Sequence, residues 1–219
     1  TSYHTPNLDR LATSGIRFSK VISQPLCTPS RVKIMTGLFN YRNYDYFANL
    51  NTNQYTFGNL MQEAGYATCV AGKWQLNGQS HKDEIPNWED NTKPIKFGFD
   101  EYCLWQLTKR GSRYANPLIE QNGAFLESKT TDYGPEIFAN YILDFIERKK
   151  EQPFFIYYPM VLVHDPFVPT PDSKDWENTE LRTKNDTTYF KDMVAYTDKI
   201  VGRIHAKLEE LNLDKNTIL

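Results

Sequence analysis

Cysteine is scarce in this sequence: three stand among 219 residues, at Cys27, Cys69 and Cys103. An odd and sparse number of cysteines excludes a disulfide framework. None belongs to a Cys-x-x-Cys pair with histidines at ligand spacing, which argues against a structural zinc site. The surroundings of Cys69 and Cys103 predict small, buried core residues. Cys27 differs, because prolines and a Ser-Arg pair surround it.

The chain also lacks an excess of charge of either sign and any long hydrophobic run. Its 25 lysines and arginines nearly balance 27 acidic residues, for a net charge of −2. That balance gives no electrostatic reason to expect binding to nucleic acid or to a membrane surface. No apolar run approaches the ~20 residues that a membrane-spanning helix needs. The proportions of hydrophobic residues (40%) and charged residues (24%) are ordinary for a globular domain.

Helical and strand patterns alternate along the chain. Helices are predicted over 6–12, from Pro29 to about Gly37, and over 57–64, 135–149 and 187–211. Strands are predicted over 16–22, 66–71, 101–107 and 153–163, with another beginning at 216–219. This alternation predicts an α/β domain over residues 1–219, with a mainly parallel central sheet and helices on both faces.

The stretch from Pro25 to Gly37 carries the most unusual chemistry. Proline is favoured in the first turn of a helix, so Pro29 is predicted to open one, with Cys27 just outside its N-terminus. The free N–H groups and the dipole there favour an anion or a thiolate. Arg31 would then lie in the first turn, where positive charge is unfavourable to the helix, and we expect it to bind an anion.

Two further reactive residues follow predicted strands. Lys73 comes after the strand over 66–71, and His164 after the apolar run over 153–163. In open α/β sheets, ligands collect outside the carboxyl ends of strands. Cys27, Lys73 and His164 would therefore meet at one edge, forming an anion site with a nucleophile in it.

These stretches resemble the sulfatase family, within the alkaline phosphatase-like superfamily. The motifs that carry the resemblance are Cys27-Thr28-Pro29-Ser30-Arg31 continuing to Thr36-Gly37, Gly65-Tyr66-Ala67-Thr68 followed by Gly72-Lys73-Trp74-Gln75, the opening helix over 5–12, and His164-Asp165-Pro166-Phe167. The match spans nearly the whole chain and is loose over 76–130. It implies an arylsulfatase-like, formylglycine-dependent enzyme that hydrolyses sulfuric esters.

The resemblance also implies a mechanism. Cys27 would be oxidised to formylglycine by a formylglycine-generating or Cys-type sulfatase-maturating enzyme. One hydroxyl of the hydrated aldehyde attacks sulfur, and the other then expels sulfate. Arg31 and Lys73 would hold the hydrated aldehyde and the sulfate oxygens. His164 would bind sulfate or protonate the leaving oxygen.

The sequence departs from the family pattern in two ways. Gln75 stands where many members have a histidine, and an amide cannot act as a base near neutral pH. The family also binds a divalent cation, usually Ca²⁺, through acidic pairs that this chain lacks, so Cys27, as formylglycine, would be its one metal ligand here. We therefore expect a segment of a catalytic domain, without its N-terminal metal-binding strand and its C-terminal portion, that turns over little alone.

Other functions stay open at this point. Formylglycine-dependent phosphodiester or phosphonate monoester hydrolases share the Cys-x-Pro-Ser-Arg motif, and an inactive sulfate-binding fragment is a second alternative. A cysteine phosphatase is disfavoured, because its arginine follows the cysteine by six residues rather than four. Asp45, Asp165 and Asp198 could be ligands, but helix caps and surface charges are the better interpretation. The resemblance implies a sulfated small molecule or polysaccharide as substrate, and a periplasmic, secreted or lysosomal location.

Overall fold

A five-stranded sheet forms the centre of the computed structural model, which describes residues 3–219. The strands are β1 (Ala67–Lys73), β2 (Glu101–Trp105), β3 (Ile119–Gln121), β4 (Ala124–Phe125) and β5 (Phe154–Tyr157). The helices are α1 (Pro6–Ser14), α2 (Cys27–Thr36), α3 (Asn40–Asn43), α4 (Phe57–Glu63), α5 (Lys93–Lys96), α6 (Gly134–Lys149) and α7 (Phe190–Glu210). Short 3-10 turns lie at Leu181–Thr183, Thr187–Tyr189 and Asp214–Asn216.

The sheet is mixed, with strand order β4-β3-β2-β1-β5. Strand β1 pairs in parallel with both β2 and β5, whereas β3 and β4 form an antiparallel hairpin beside β2. The parallel register places Lys73, the last residue of β1, beside Trp105, the last residue of β2. The carboxyl ends of these two central strands therefore lie together, and the residues that follow them are neighbours.

Helices cover both faces of the sheet, as predicted. Alternate residues of a strand point to opposite faces. Cys69 and Cys103 belong to the apolar cluster formed with α6 and α7. Val70 and Leu104 belong to a second cluster, which includes residues of α2. Both faces of β1 and β2 are thus buried, which accounts for their nearly continuous apolar sequence.

Several helix ends follow from local sequence signals. Thr56 forms a capping box with Asn59 at the start of α4, and Gly37 ends α2 in the left-handed conformation, at φ 68°. The start of α1 is capped from a distance: a carboxylate of α7, Asp198, accepts the backbone N–H groups of Asn7 (3.2 Å) and Leu8 (2.8 Å). Asp198 is therefore a buried helix cap rather than a ligand.

Two predicted strands are wrong. Residues 16–22 form no strand and pair with no other strand of the described chain. Ile16 and Ile22 are 83% and 90% exposed. Residues 217–219 likewise continue from a 3-10 turn without forming a strand, and Ile218 is exposed. Alternation alone cannot hold a strand, since its backbone groups need a neighbouring strand to bond.

The strand predicted over 153–163 is also shorter than expected. Strand β5 ends at Tyr157, lies at the edge of the sheet, and is half-buried rather than fully buried. Pro159 follows two residues later; it has no N–H to donate to a ladder. Its carbonyl instead accepts the N–H of Lys73 at 2.7 Å. The irregular segment after β5 therefore packs directly against the end of β1.

Candidate active site

Cys27 is the first residue of α2, two residues earlier than predicted for the helix start. Leu26 flanks the helix, Pro29 is its third residue, and Arg31 lies in the second turn rather than the first. Pro29 still costs no hydrogen bond, because the first N–H groups of a helix have no intrahelical partner. Burial acts to raise the pKa of the Cys27 thiol, but the positive charges of Lys73 and Arg31 outweigh it and lower that pKa.

Arg31 joins α2 to the end of β1. Its guanidinium donates to three consecutive backbone carbonyls, those of Lys73 (3.5 Å), Trp74 and Gln75 (3.3 Å). The residue is 8% exposed, and its Nε has no hydrogen-bond partner in the described chain. Burial lowers the Arg31 pKa, although the neighbouring Cys27 opposes that shift. In this structure, Arg31 positions the residues around Cys27 by holding the backbone that carries Lys73.

Lys73 is a buried cation beside Cys27. Gly72 precedes it at φ 119°, and a Cβ there would lie 2.3 Å from the carbonyl oxygen of Pro159, so only glycine allows the chains to approach this closely. The Lys73 ammonium forms no ion pair with a carboxylate of residues 3–219, and the Cys27 side chain is its hydrogen-bonding neighbour. Burial lowers its pKa to about 8; the positive charges of Arg31 and Arg113 act in the same direction.

Gln75 contacts the sulfur of Cys27 directly. The thiol donates to Gln75 Oε1 at 3.8 Å, and the Gln75 backbone N–H donates to the carbonyl of Gln106 at 3.0 Å. Gln75 and Gln106 both have left-handed backbones, at φ 47° and 56°. For residues other than glycine this conformation costs on the order of 1–3 kcal/mol and is concentrated at functional sites. Two strained residues are thus joined by a backbone hydrogen bond, and one of them, Gln75, contacts Cys27.

His164 lies apart from the contacts described so far. Its exposed ring is 2.7 Å from Asp165 Oδ1 through Nδ1, and Tyr114 donates its hydroxyl to the His164 carbonyl at 2.5 Å. No hydrogen bond or ion pair of the described chain joins His164 to Cys27 or Lys73. The predicted role of His164 therefore stays a prediction, whereas Cys27, Arg31, Lys73 and Gln75 are brought together.

Arg113 is a cation that the sequence prediction missed. It is 9% exposed, its guanidinium stacks over the Trp105 ring at 4.1 Å, and its Nη1 has no partner within residues 3–219. Burial lowers the Arg113 pKa, although Tyr114 and Asp165 oppose that shift, and the residue also interacts electrostatically with Cys27 and Lys73. No sequence signal pointed to Arg113, since it lies in a polar loop without helical or strand periodicity.

The described residues do not by themselves fit a calcium ion. Calcium takes six to eight oxygen ligands, mainly carboxylates and carbonyls. No group of three or more His, Cys, Asp or Glu side chains in residues 3–219 could hold a metal ion. Asp45 accepts bonds from Asn49 and Asn51 and braces its own loop. The predicted metal role of Cys27, as formylglycine, stays a prediction.

Comparison with known proteins assigns this geometry to a family. The sulfatase family model matches residues 1–219. The chain belongs to the sulfatase family. N-acetylgalactosamine-6-sulfatase of Homo sapiens is 30% identical over 249 residues, covering 100% of this chain and 44% of that protein. N-acetylglucosamine-6-O-sulfatase of Bacteroides thetaiotaomicron is 31% identical over 171 residues, covering 76% of this chain and 27% of that protein.

Solved structures show the same sulfatase fold at lower identity. A protein crystallised with its substrate D-glucosamine-2-N,6-O-disulfate has a TM-score of 0.74 and 21% identity, covering 97% of this chain and 58% of that one. Ps i-CgsB, in complex with k-i-k-neocarrahexaose, has a TM-score of 0.73 and 24% identity, covering 95% and 50%. This sulfatase chain spans less than half the length of the N-acetylgalactosamine-6-sulfatases that it matches. No helix in its described part is long and apolar enough to cross a membrane.

Proposed function

We propose that this chain carries the nucleophile and the anion-binding groups of a sulfuric ester hydrolase, with Cys27 converted to formylglycine. The observation that supports this most is the charge around Cys27. Lys73 and Arg113 are buried cations that form no ion pair with a carboxylate of the described chain, and both interact electrostatically with Cys27, although Asp165 also acts on Arg113. Buried cations are normally paired, so an unpaired set around a nucleophile favours an anionic substrate.

The residues around Cys27 have separate proposed roles in the reaction. Formylglycine supplies, through its hydrate, the hydroxyl that attacks sulfur and the second hydroxyl that expels sulfate. Lys73 stabilises the charge on the sulfate oxygens from a buried position, where such stabilisation is strongest. Arg31 keeps Lys73 and Gln75 in register with α2 through their carbonyls. Gln75 hydrogen-bonds at residue 27 but moves no proton, because an amide does not titrate there.

His164 is the proposed proton donor to the leaving oxygen. Its exposed ring lies 2.7 Å from Asp165 Oδ1 through Nδ1, which fixes the ring and leaves Nε2 free to reach a substrate. Tyr114 holds the backbone of His164 and is the neighbour of Arg113 along the chain. Because Tyr114 bonds to His164 and adjoins Arg113, His164 is proposed to lie on the same side of the site as Arg113.

The substrate class, the metal and the location belong to the same proposal. A sulfated sugar is the proposed substrate, since two relatives are named for hexosamine 6-sulfates. Calcium, a maturating enzyme for Cys27, and a periplasmic, secreted or lysosomal location are carried over from the family resemblance. The activity is proposed for the full-length protein that contains this chain.

The test is a paired assay of that full-length protein, expressed with a maturating enzyme. Matched aryl esters that share one leaving group would carry a sulfate, a phosphonate or a phosphodiester. We expect hydrolysis of the sulfate ester with kcat/KM well above that of the other two. Preference for the phosphonate or phosphodiester would replace the proposal by the corresponding phospho-hydrolase. Binding without turnover of any ester would support an inactive sulfate-binding protein.

A further inference from the structure

A second cationic region adjoins the site along Gln75. A cleft of about 560 Å³ has Gln75 in its wall, together with the loops that follow β1 and β2. Gln75 therefore faces both Cys27 and this cleft. A substrate whose scissile group lies at Cys27 could extend past Gln75 into the cleft without crossing another element.

The charges of the cleft are all of one sign. Lys82, Lys109 and Arg110 line it, and no acidic residue of the described chain does. None of the three forms an ion pair with any residue of 3–219. Lys82 lies over the Trp88 ring at 4.1 Å, and Lys109 lies 5.1 Å from the Phe125 ring centre, so aromatic faces rather than carboxylates hold the two ammonium groups.

One acidic side chain, that of Glu120, lies next to the wall of the cleft, but its carboxylate already accepts two hydrogen bonds. Glu120 is 3% exposed and accepts the backbone N–H and the hydroxyl of Thr108 at 2.7 and 2.6 Å. Those two bonds place its carboxylate on the inner side of Thr108. Glu120 therefore does not neutralise the exposed ends of Lys109 and Arg110.

The cleft also contains an unused hydrogen-bond acceptor. Gln106 lines it, is 4% exposed, and its side-chain Oε1 has no partner among the described residues. A buried acceptor without a partner costs about 1–3 kcal/mol, and a hydroxyl of a bound sugar would satisfy it. Amide side chains beside an aromatic ring such as Trp88 suit the hydroxyls and the apolar face of a sugar.

Arg113 connects the cleft to the nucleophile. The positive charges of Arg113 and Arg110 act on each other, and Arg113 also interacts with Cys27. Arg113 therefore lies within electrostatic reach of both Cys27 and Arg110, although the Asp165 carboxylate also acts on it. Cations placed in this way can stabilise two negative groups held a short distance apart.

We propose that the cleft lined by Lys82, Lys109 and Arg110 binds a second anionic group, sulfate or carboxylate, of a sugar whose scissile sulfate lies at Cys27. This inference rests on the proposed sulfatase function and specifies its substrate as a doubly anionic saccharide. The preference for a doubly anionic saccharide comes from Lys82, Lys109 and Arg110, because these cations have no carboxylate partner among the described residues and a second anionic group would neutralise them.

The test compares three disaccharides that share one sulfate ester: one without further charge, one with a second sulfate, and one with a uronate carboxylate. The variant is Lys109→Ala/Arg110→Ala, in the matured full-length protein. We expect its kcat/KM for a doubly anionic disaccharide, relative to the singly charged one, to fall about tenfold against wild type, as loss of one charged contact would give. A control, Lys184→Ala/Lys215→Ala, removes the same charge from exposed positions outside the cleft and should leave the ratio unchanged.

A binding measurement decides the proposal even if turnover is absent. Calorimetry with the Cys27→Ala protein should show tighter binding of a doubly anionic disaccharide than of the singly charged one, with the preference lost in Lys109→Ala/Arg110→Ala and reduced in Lys82→Gln. An unchanged preference in both cleft variants, or an equal loss in the Lys184→Ala/Lys215→Ala control, would overturn the inference. The sulfate and uronate arms show which second anion the cleft takes. Failure of all hydrolysis, with the binding preference intact, would contradict only the proposed reaction.

Discussion

Cations on the two sides of this molecule have opposite surroundings. On the surface of α6 and α7, Arg148 pairs with Glu101 at 2.6 Å, Arg203 with Glu136 at 2.5 Å, and Lys207 with Glu147 at 2.6 Å. At the carboxyl end of β1 and β2, Lys73 and Arg113 are more deeply buried and form no ion pair with a carboxylate of the described chain. Burial without a partner makes these cations unfavourable as they stand.

The pKa values express the same contrast. Hydrogen bonds that Arg148 donates to Glu101 and Asp144 raise its pKa, and those that Lys207 donates to Glu147 and Glu210 raise the pKa of Lys207. Burial lowers the pKa of Lys73 to about 8. A cation whose pKa is lowered by burial regains stability when an anion binds beside it. The ion pairs of α6 and α7 therefore stabilise the fold. The cations beside Cys27 would instead be stabilised by a bound anion.

The largest expected effect comes from removing the cation beside the nucleophile. Lys73→Ala should lower kcat/KM for a sulfate ester by about 10²–10³-fold, the cost of losing one preorganised charge-stabilising group. Lys207→Ala, which removes a paired lysine, should leave kcat/KM unchanged. Steady-state kinetics of both variants measure the difference. Equal losses of kcat/KM in the two variants would show that Lys73 contributes no more to catalysis than a lysine in a surface ion pair.

Removal of Arg31 should act mainly on stability. Arg31→Gln would leave up to three buried carbonyls without their donor, and we expect the free energy of unfolding to fall by about 3 kcal/mol. Urea unfolding monitored by circular dichroism measures it, with the exposed Arg42→Gln as control. A change below about 0.5 kcal/mol would contradict the positioning role, because exposed substitutions alone cause effects of that size.

Anion affinity should depend on pH through Lys73. The ammonium is charged below its pKa and neutral above it, so sulfate affinity should be full at low pH and fall as pH rises through about 8. Calorimetry with inorganic sulfate on Cys27→Ala protein isolates this titration, because sulfate and the neighbouring arginines keep their charge over that range. Its midpoint should lie below about 8 there, since Cys27 acts to raise the pKa of Lys73. The Lys73→Arg variant should bind without the loss. The same pH dependence in Lys73→Arg would assign it to another group.

The smallest effect is expected on the paired side. Arg203→Ala breaks a half-exposed ion pair with Glu136, so the free energy of unfolding should fall by about 1 kcal/mol. The kcat/KM for a sulfate ester should not change, since Arg203 contacts Glu136 and Asn140 rather than the site. Thermal unfolding and kinetics of one preparation give both values. A loss of activity without a loss of stability would show that the ion pairs of α6 and α7 serve catalysis rather than the stability of the fold.

Local signals predicted much of this fold. Thr56 and Gly37 are local signals that mark helix ends in the structure, and the position of Lys73 followed from the strand-end rule. The strand predicted over 16–22 failed, because a strand depends on a neighbour that its own residues do not specify. Arg113 could not be predicted as a site residue. What marks it is its stack on Trp105 and its Nη1 without a hydrogen-bond partner in the described chain, and both depend on the folded structure.

The central claim is that the unpaired cations surround a formylglycine made from Cys27. Its most direct test is the mass of the tryptic peptide over residues 21–31, measured in active full-length protein. We expect a mass about 18 Da below that of the thiol form, the difference between cysteine and formylglycine residues. Sulfatase activity should rise in proportion to the converted fraction. Full activity in protein whose Cys27 remains an unmodified thiol would contradict the account.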